Sequence, residues 1–280
     1  MTEGDVTKGM YMKKVLFMVL CLFAVQSLQA HEQHYMCEAL TKITEETSKA
    51  DGFYETALSY ENLDKWFKLL VKLEIPAKQK QEILLDCRDD INFLSSQFLT
   101  FLEHLYDEDH ETIPVQYNGE SANAFVNLDK ERFEQEKASY EKYSIFKPFL
   151  LDKKNLKKVK PKTCYNFVVS TQGEIILGDL QEYDELMEGD KKILLAPNHA
   201  LLAKGESVMT AGEITLIGDR EFKLWMIGMT SGHYHPASES KKYIVDALLR
   251  LGIPQEQIIV FGFQIHKLPW KLLEDDKCNQ

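Results

Sequence analysis

Two histidines, a tyrosine, two serines and a glutamate fall within Ser231-Gly232-His233-Tyr234-His235-Pro236-Ala237-Ser238-Glu239. This is the densest cluster of proton-transferring and metal-ligating side chains in the chain. His233 and His235 are two residues apart and point the same way in an extended chain. With His199 they have the composition of a three-histidine metal site, against the plainer reading of solvated turn histidines. Ser231 or Ser207, with His233 and Glu213 or Glu239, has the composition of a hydrolytic triad, although no GxSxG elbow is present. Glu213 interrupts the apolar run around Ala211-Gly212. If both faces of that strand are covered, its carboxylate needs a partner or a proton; on an edge strand it is simply solvated. There is no P-loop or GxGxxG, so a nucleotide has to be held otherwise, for example at the helix N-terminus near Ser238.

The flanking segments must position these groups. Residues 221–228 are aromatic and aliphatic on both faces and predict a central strand. Ile244, Ala247, Leu248 and Leu251 recur at helical spacing, with Ser238 as N-cap and Gly252 just past the end. The cluster is thus a strand-to-helix turn, where scaffolds commonly expose reactive groups. From Cys164 onward the pattern is β. Hairpins turn at residues 171–173 and 218–220, with short strands at 193–196 and 257–263. Before residue 150 it is helical, with amphipathic stretches at 37–48, 63–73 and 77–106. Asn127–Ser144 carries, among others, Asp129, Lys130, Glu131, Arg132, Glu134, Glu136 and Lys137 and predicts an exposed, salt-bridged helix. The fold class expected is α+β, an N-terminal helical region followed by an antiparallel sheet with a packed helix. Its parts are a helical domain at 31–150, a basic linker at 151–163, an α+β module at 164–267 and a tail at 268–280.

Residues 1–30 predict a secretory signal peptide: Lys13-Lys14, an apolar run from Val15 to Val25, then Ala30 at the cleavage site. That run is too short for an ordinary membrane span, so none is expected after cleavage. Removing the segment takes three lysines, a glutamate and an aspartate, and the formal charge goes from −11 to −12. This acidity argues against a nucleic-acid partner. The basic run at 153–162 reads as a joint between domains, with contact to acidic lipid or a phosphate-bearing partner as the alternative. Cys37, Cys87, Cys164 and Cys278 remain after cleavage and permit two disulfides in any of three pairings, among them Cys37 with Cys87.

The stretches Tyr165–Gly178, Asn198-His199-Ala200-Leu201, Thr210–Ile214 and Ser231–Pro236 share an order and spacing with a known module. The region from Cys164 to Phe261 resembles the Ser-Gly-His-Tyr-x-Pro module of plant IQ-motif calmodulin-binding proteins and of bacterial toxin or effector-like proteins. No IQ motif is present, so calmodulin binding does not carry over. The module's Ser-Ser after the first histidine is Ala200-Leu201 here, which puts any chemistry of that hydroxyl in doubt. The resemblance implies an exported bacterial effector-like protein that transfers a nucleotide or phosphoryl group to a protein substrate, with ATP–Mg²⁺ as the possible cofactor. His233 would then be the acid/base, supported by Glu213 or Glu239. Ser231 or Tyr234 would hold phosphate, with His199 and His235 lining the substrate site. The alternative is a non-catalytic protein-binding module in which the turn is structural.

Overall fold

The structure, a computed structural model, describes residues 32–261 except 49–52, 74, 76, 106–110, 144–147, 180–183, 189–190, 196–197, 219–222, 230 and 232. The expected signal segment, the tail and Cys278 lie outside the described residues. Among those described, no helix is long and apolar enough to cross a membrane.

The protein is α+β, with helices preceding an eight-stranded sheet. Its longest strand, β8 (Val208–Gly218), is buried almost throughout and organises the rest. One edge pairs with β4 (Cys164–Ser170), which continues to β5 (Ile175–Asp179) and β3 (Phe149–Leu151). The other edge is shared: β9 (Lys223–Gly228) pairs from Glu213 to Gly218, and β2 (Glu120–Phe125) touches only at Val208. β1 (Thr112–Tyr117) pairs with β2. All these pairs are antiparallel. The exception is β10 (Ile258–Phe261), which lies parallel to β9. A parallel pair needs a crossover, and the C-terminal helix at Lys241–Arg250 supplies it. β9 therefore has neighbours on both sides, as its apolar composition requires.

Side chains alternate between the two faces. Tyr165, Phe167, Ile214, Leu216, Trp225 and Ile227 meet Tyr243, Ile244, Ala247 and Leu248 of the C-terminal helix. On the opposite face Cys164, Ile217, Met226 and Phe261 pack beneath four N-terminal helices, α1 (Glu32–Ser48), α2 (Phe53–Lys72), α3 (Ala77–Asp86) and α4 (Arg88–Leu105). Farther along that face Val168 and Ala211 lie under α5 (Lys130–Tyr143) and the one-turn helix α6 (His199–Leu202), through Phe133, Ala200 and Leu202. The C-terminal helix is α7. A separate hairpin, β6 (Asp184–Glu188) with β7 (Lys191–Leu195), completes the described elements.

A disulfide joins Cys37 of α1 to Cys87 at the junction of α3 and α4. It realises one of the permitted pairings, while Cys164 is buried and reduced. The helix expected over 77–106 is found from Ala77 to Leu105, broken at Cys87, and Tyr106 lies outside the described residues. α4 also covers the outer edge of β10, where Asn92 Oδ1 accepts a hydrogen bond from Val260 N at 3.0 Å.

Three expectations are corrected. Residues 112–125 are a hairpin, not part of a helical region. Asn118 and Gly119 take positive φ (53° and 86°), the two-residue turn that matches strand twist. The basic run is not a joint between a helical unit and a β unit: it connects β3 to β4, which both pair with β5 in one sheet. Ser238 is not the N-cap of α7. It opens a 3-10 turn (Ser238–Ser240), and α7 starts after Ser240. The Ser240 hydroxyl is 2.9 Å from Thr210 Oγ1 instead of capping the helix.

Candidate functional site

Beyond Gly228 the chain leaves β9 and is held by Met229 N donating to Phe261 O at 3.0 Å. Ser231 then builds the turn: its Oγ accepts from His233 N at 3.4 Å and its carbonyl from His235 N at 3.3 Å. Tyr234 is 1 % exposed, packed with Phe125, Phe133, Val168 and Ala200. Its hydroxyl donates to Glu206 O at 2.8 Å. Burial pushes its ionisation well above that of a free tyrosine. Tyr234 is therefore a core anchor with its polar end satisfied, where the sequence suggested a phosphate or substrate contact. His235 turns into the left-handed region at φ 39°. The chain here is not extended, so the premise that aimed His233 and His235 the same way does not hold.

The second histidine comes from α6. Asn198 caps that helix, its Oδ1 accepting from Leu201 N at 2.9 Å. His199 is thereby placed over the sheet with Nε2 2.9 Å from Gly212 O. A carbonyl only accepts, so this contact places the proton on Nε2. Burial pushes the imidazole down to about 4, reinforced by the neighbouring His233 and opposed by the Gly212 carbonyl. His199 is consequently neutral at pH 7. Position 212 must be glycine for a steric reason: a Cβ there would lie 2.0 Å from Gly228 O and 3.0 Å from Phe167 Cε1.

The carboxylate at this site comes from α5. Asp129 caps α5, its Oδ1 accepting from Arg132 N at 3.0 Å. Leu128 N donates to His233 O at 3.0 Å, which ties the start of this helix to the turn. About two turns later Glu136 reaches inward. Its Oε1 accepts from Arg132 Nε at 2.7 Å, and its Oε2 accepts from Asn198 Nδ2. The same Oε2 lies 3.5 Å from His233 Nε2, a buried nitrogen with no well-directed hydrogen bond. Burial alone would raise the Glu136 pKa, but His233 and Arg132 outweigh it and hold the carboxyl below its usual range. Glu136 is therefore ionised at neutral pH. Asn198 is the hub, fixing α6 with its oxygen and Glu136 with its nitrogen.

Of the residues singled out in the sequence, His199, His233, Ser231 and Glu213 are all buried along this side of the sheet. Glu213, 4 % exposed, follows Gly212 on β8 and pairs in register with Asn166 and Gly228. Glu239 is exposed on the 3-10 turn. Among the described residues no group of three or more His, Cys, Asp or Glu side chains is arranged to hold a metal ion. Glu136, Asn198 and Arg132 were not singled out as site residues. The charge density of α5 suggested a solvated helix, yet Phe133 is its anchor in the core, and Glu136 shares that face three residues on. Chemically the cluster is a histidine–carboxylate pair beside a neutral histidine. Its order is the reverse of a catalytic pair in which a buried carboxylate orients an open histidine. Here the carboxylate side chain is 27 % exposed and the histidine 6 %.

Compared with known proteins, the chain matches no family model, no curated protein and no solved structure.

Proposed function

We propose that this is an exported, effector-like protein-binding module in which the Ser-Gly-His-Tyr-x-Pro turn is a structural clamp. The observation that carries the reading is the inward orientation of the cluster. Tyr234, His233, Glu213 and His199 are 1 %, 5 %, 4 % and 7 % exposed. The Tyr234 hydroxyl and His199 Nε2 are taken up by backbone carbonyls. A turn built to meet a substrate would leave a nucleophile or a proton-transferring nitrogen open. This one fastens α5 and α6 to the sheet. The bridge between Cys37 and Cys87 supports export, because disulfides persist in oxidising compartments. The likeness to effector proteins supports a protein partner.

A second reading, nucleotide or phosphoryl transfer to a protein using ATP–Mg²⁺, has one observation in its favour. His233 Nε2 is buried with only the 3.5 Å contact to Glu136. Displacing Glu136 would free that nitrogen as an acid/base and leave the Arg132 guanidinium for a phosphate.

Thermal melting of the wild type and His233→Ala, each with and without ATP–Mg²⁺, separates the two. The clamp reading expects a lower midpoint in His233→Ala and no response of the wild type to nucleotide. A wild-type midpoint that rises with ATP, beside a variant that folds normally without responding, would overturn it in favour of transfer.

A further inference from the structure

We propose that the lysine loop between β3 and β4 is a docking surface for an anionic lipid bilayer. Residues 152–162 hold six lysines and one aspartate in a chain whose net charge is −11. The loop is rigid. Asp152 Oδ1 accepts from Asn155 N at 2.6 Å, and Asn155 Nδ2 donates to Leu150 O at 3.1 Å. Val159 is buried in the core, Lys160 N donates to Tyr165 Oη at 3.0 Å, and Lys162 N donates to Leu216 O at 2.8 Å. Its fixed backbone holds Lys153, Lys154, Lys157 and Lys158 in solvent. Six lysines against Asp152 and against Asp179, which pairs with Lys160 at 3.6 Å, leave the loop net positive.

One feature beside the four exposed lysines selects a lipid surface over a compact anion. Beside them on the edge strand, Leu150 is 37 % exposed, an apolar contact that enters a headgroup layer but gains nothing from a soluble anion. The overall acidity is no obstacle, because charges farther away than about 8 Å are screened at physiological salt and the local patch dominates.

Each lysine near an anionic surface strengthens partitioning about fivefold, so four together give several-hundred-fold. The test is co-sedimentation of the full chain with phosphatidylserine–phosphatidylcholine vesicles and with pure phosphatidylcholine vesicles. Wild type is compared with the quadruple variant Lys153→Gln, Lys154→Gln, Lys157→Gln, Lys158→Gln. Binding to pure phosphatidylcholine reads any apolar contact elsewhere in the chain and is common to both proteins. The proposal expects wild type to prefer the anionic vesicles by about a hundredfold or more, weakening in 0.5 M salt, and the variant to lose the preference. Leu150→Ser, which leaves every lysine in place, is expected to weaken anionic binding severalfold without changing its salt dependence. An equal preference in wild type and quadruple variant overturns the proposal. So does an absence of wild-type preference, or release by millimolar inorganic phosphate at constant ionic strength, which marks a compact-anion site.

Discussion

Acidification is expected to destabilise the fold through His199, whose burial disfavours the charged imidazole. In the unfolded chain this imidazole titrates near 6.5; in the fold, burial lowers it to about 4. Between those values the unfolded state binds more protons, so stability rises with pH. The contribution is complete above about pH 6.5 and is lost as the pH falls towards about 4. Integrating the two titrations from about pH 7.5 to about pH 5 gives a loss of about 2 kcal/mol from this residue. At that lower limit Glu136, held below its usual range, keeps its charge. The assay is urea unfolding of wild type and His199→Gln at both pH values. Glutamine retains a donor for the Gly212 carbonyl but does not titrate. The wild type should lose about 2 kcal/mol more than the variant over the interval. An equal loss in the two proteins would refute the reasoning, because it would mean that His199 takes up its proton in the fold as readily as in water.

Glu136→Ala removes the acceptor shared by Arg132, Asn198 and His233, and should cost about 2 kcal/mol in urea unfolding. In a double-mutant cycle with His233→Ala the coupling should reach about 1 kcal/mol, whereas additivity would show that the 3.5 Å contact contributes nothing. Gly212→Ala forces a Cβ to within 2.0 Å of the Gly228 carbonyl and should destabilise by about 3 kcal/mol or prevent folding, read by circular dichroism and thermal melting. Reducing the bridge between Cys37 and Cys87 opens a loop with a sequence separation of 50 and should lower stability by about 4 kcal/mol at most, measured by denaturant unfolding with and without dithiothreitol. Cys164, buried and with its thiol ionisation pushed up by burial, should react with thiol reagents only after unfolding.

Much of the β region was legible because its signals are local. Residues 221–228 marked a central strand, found at Lys223–Gly228, and 165–178 marked a hairpin. The helix ending before Gly252 followed from periodicity, and Gly252 has the positive φ (88°) expected past a helix end. The hairpin at 112–125 is poorly legible because its one local signal, the Asn118-Gly119 turn, lies between strong helical patterns.

The amino-acid sequence by itself determined the α+β class, the strand-to-helix turn carrying His233, and a set of permitted cysteine pairings. The first two rest on residue type and spacing within about a dozen positions, where backbone sterics and hydrophobic periodicity act, and the pairings rest on the cysteine count alone. Only the tertiary structure decided what the turn's side chains do. It turned Tyr234 into the core, gave His199 the Gly212 carbonyl, and brought Glu136 to His233 across 97 residues of chain. Spacing cannot reveal that last pairing. It depends on a surface-like helix being fixed by Phe133 against a sheet, and on a buried nitrogen meeting whichever carboxylate that packing supplies.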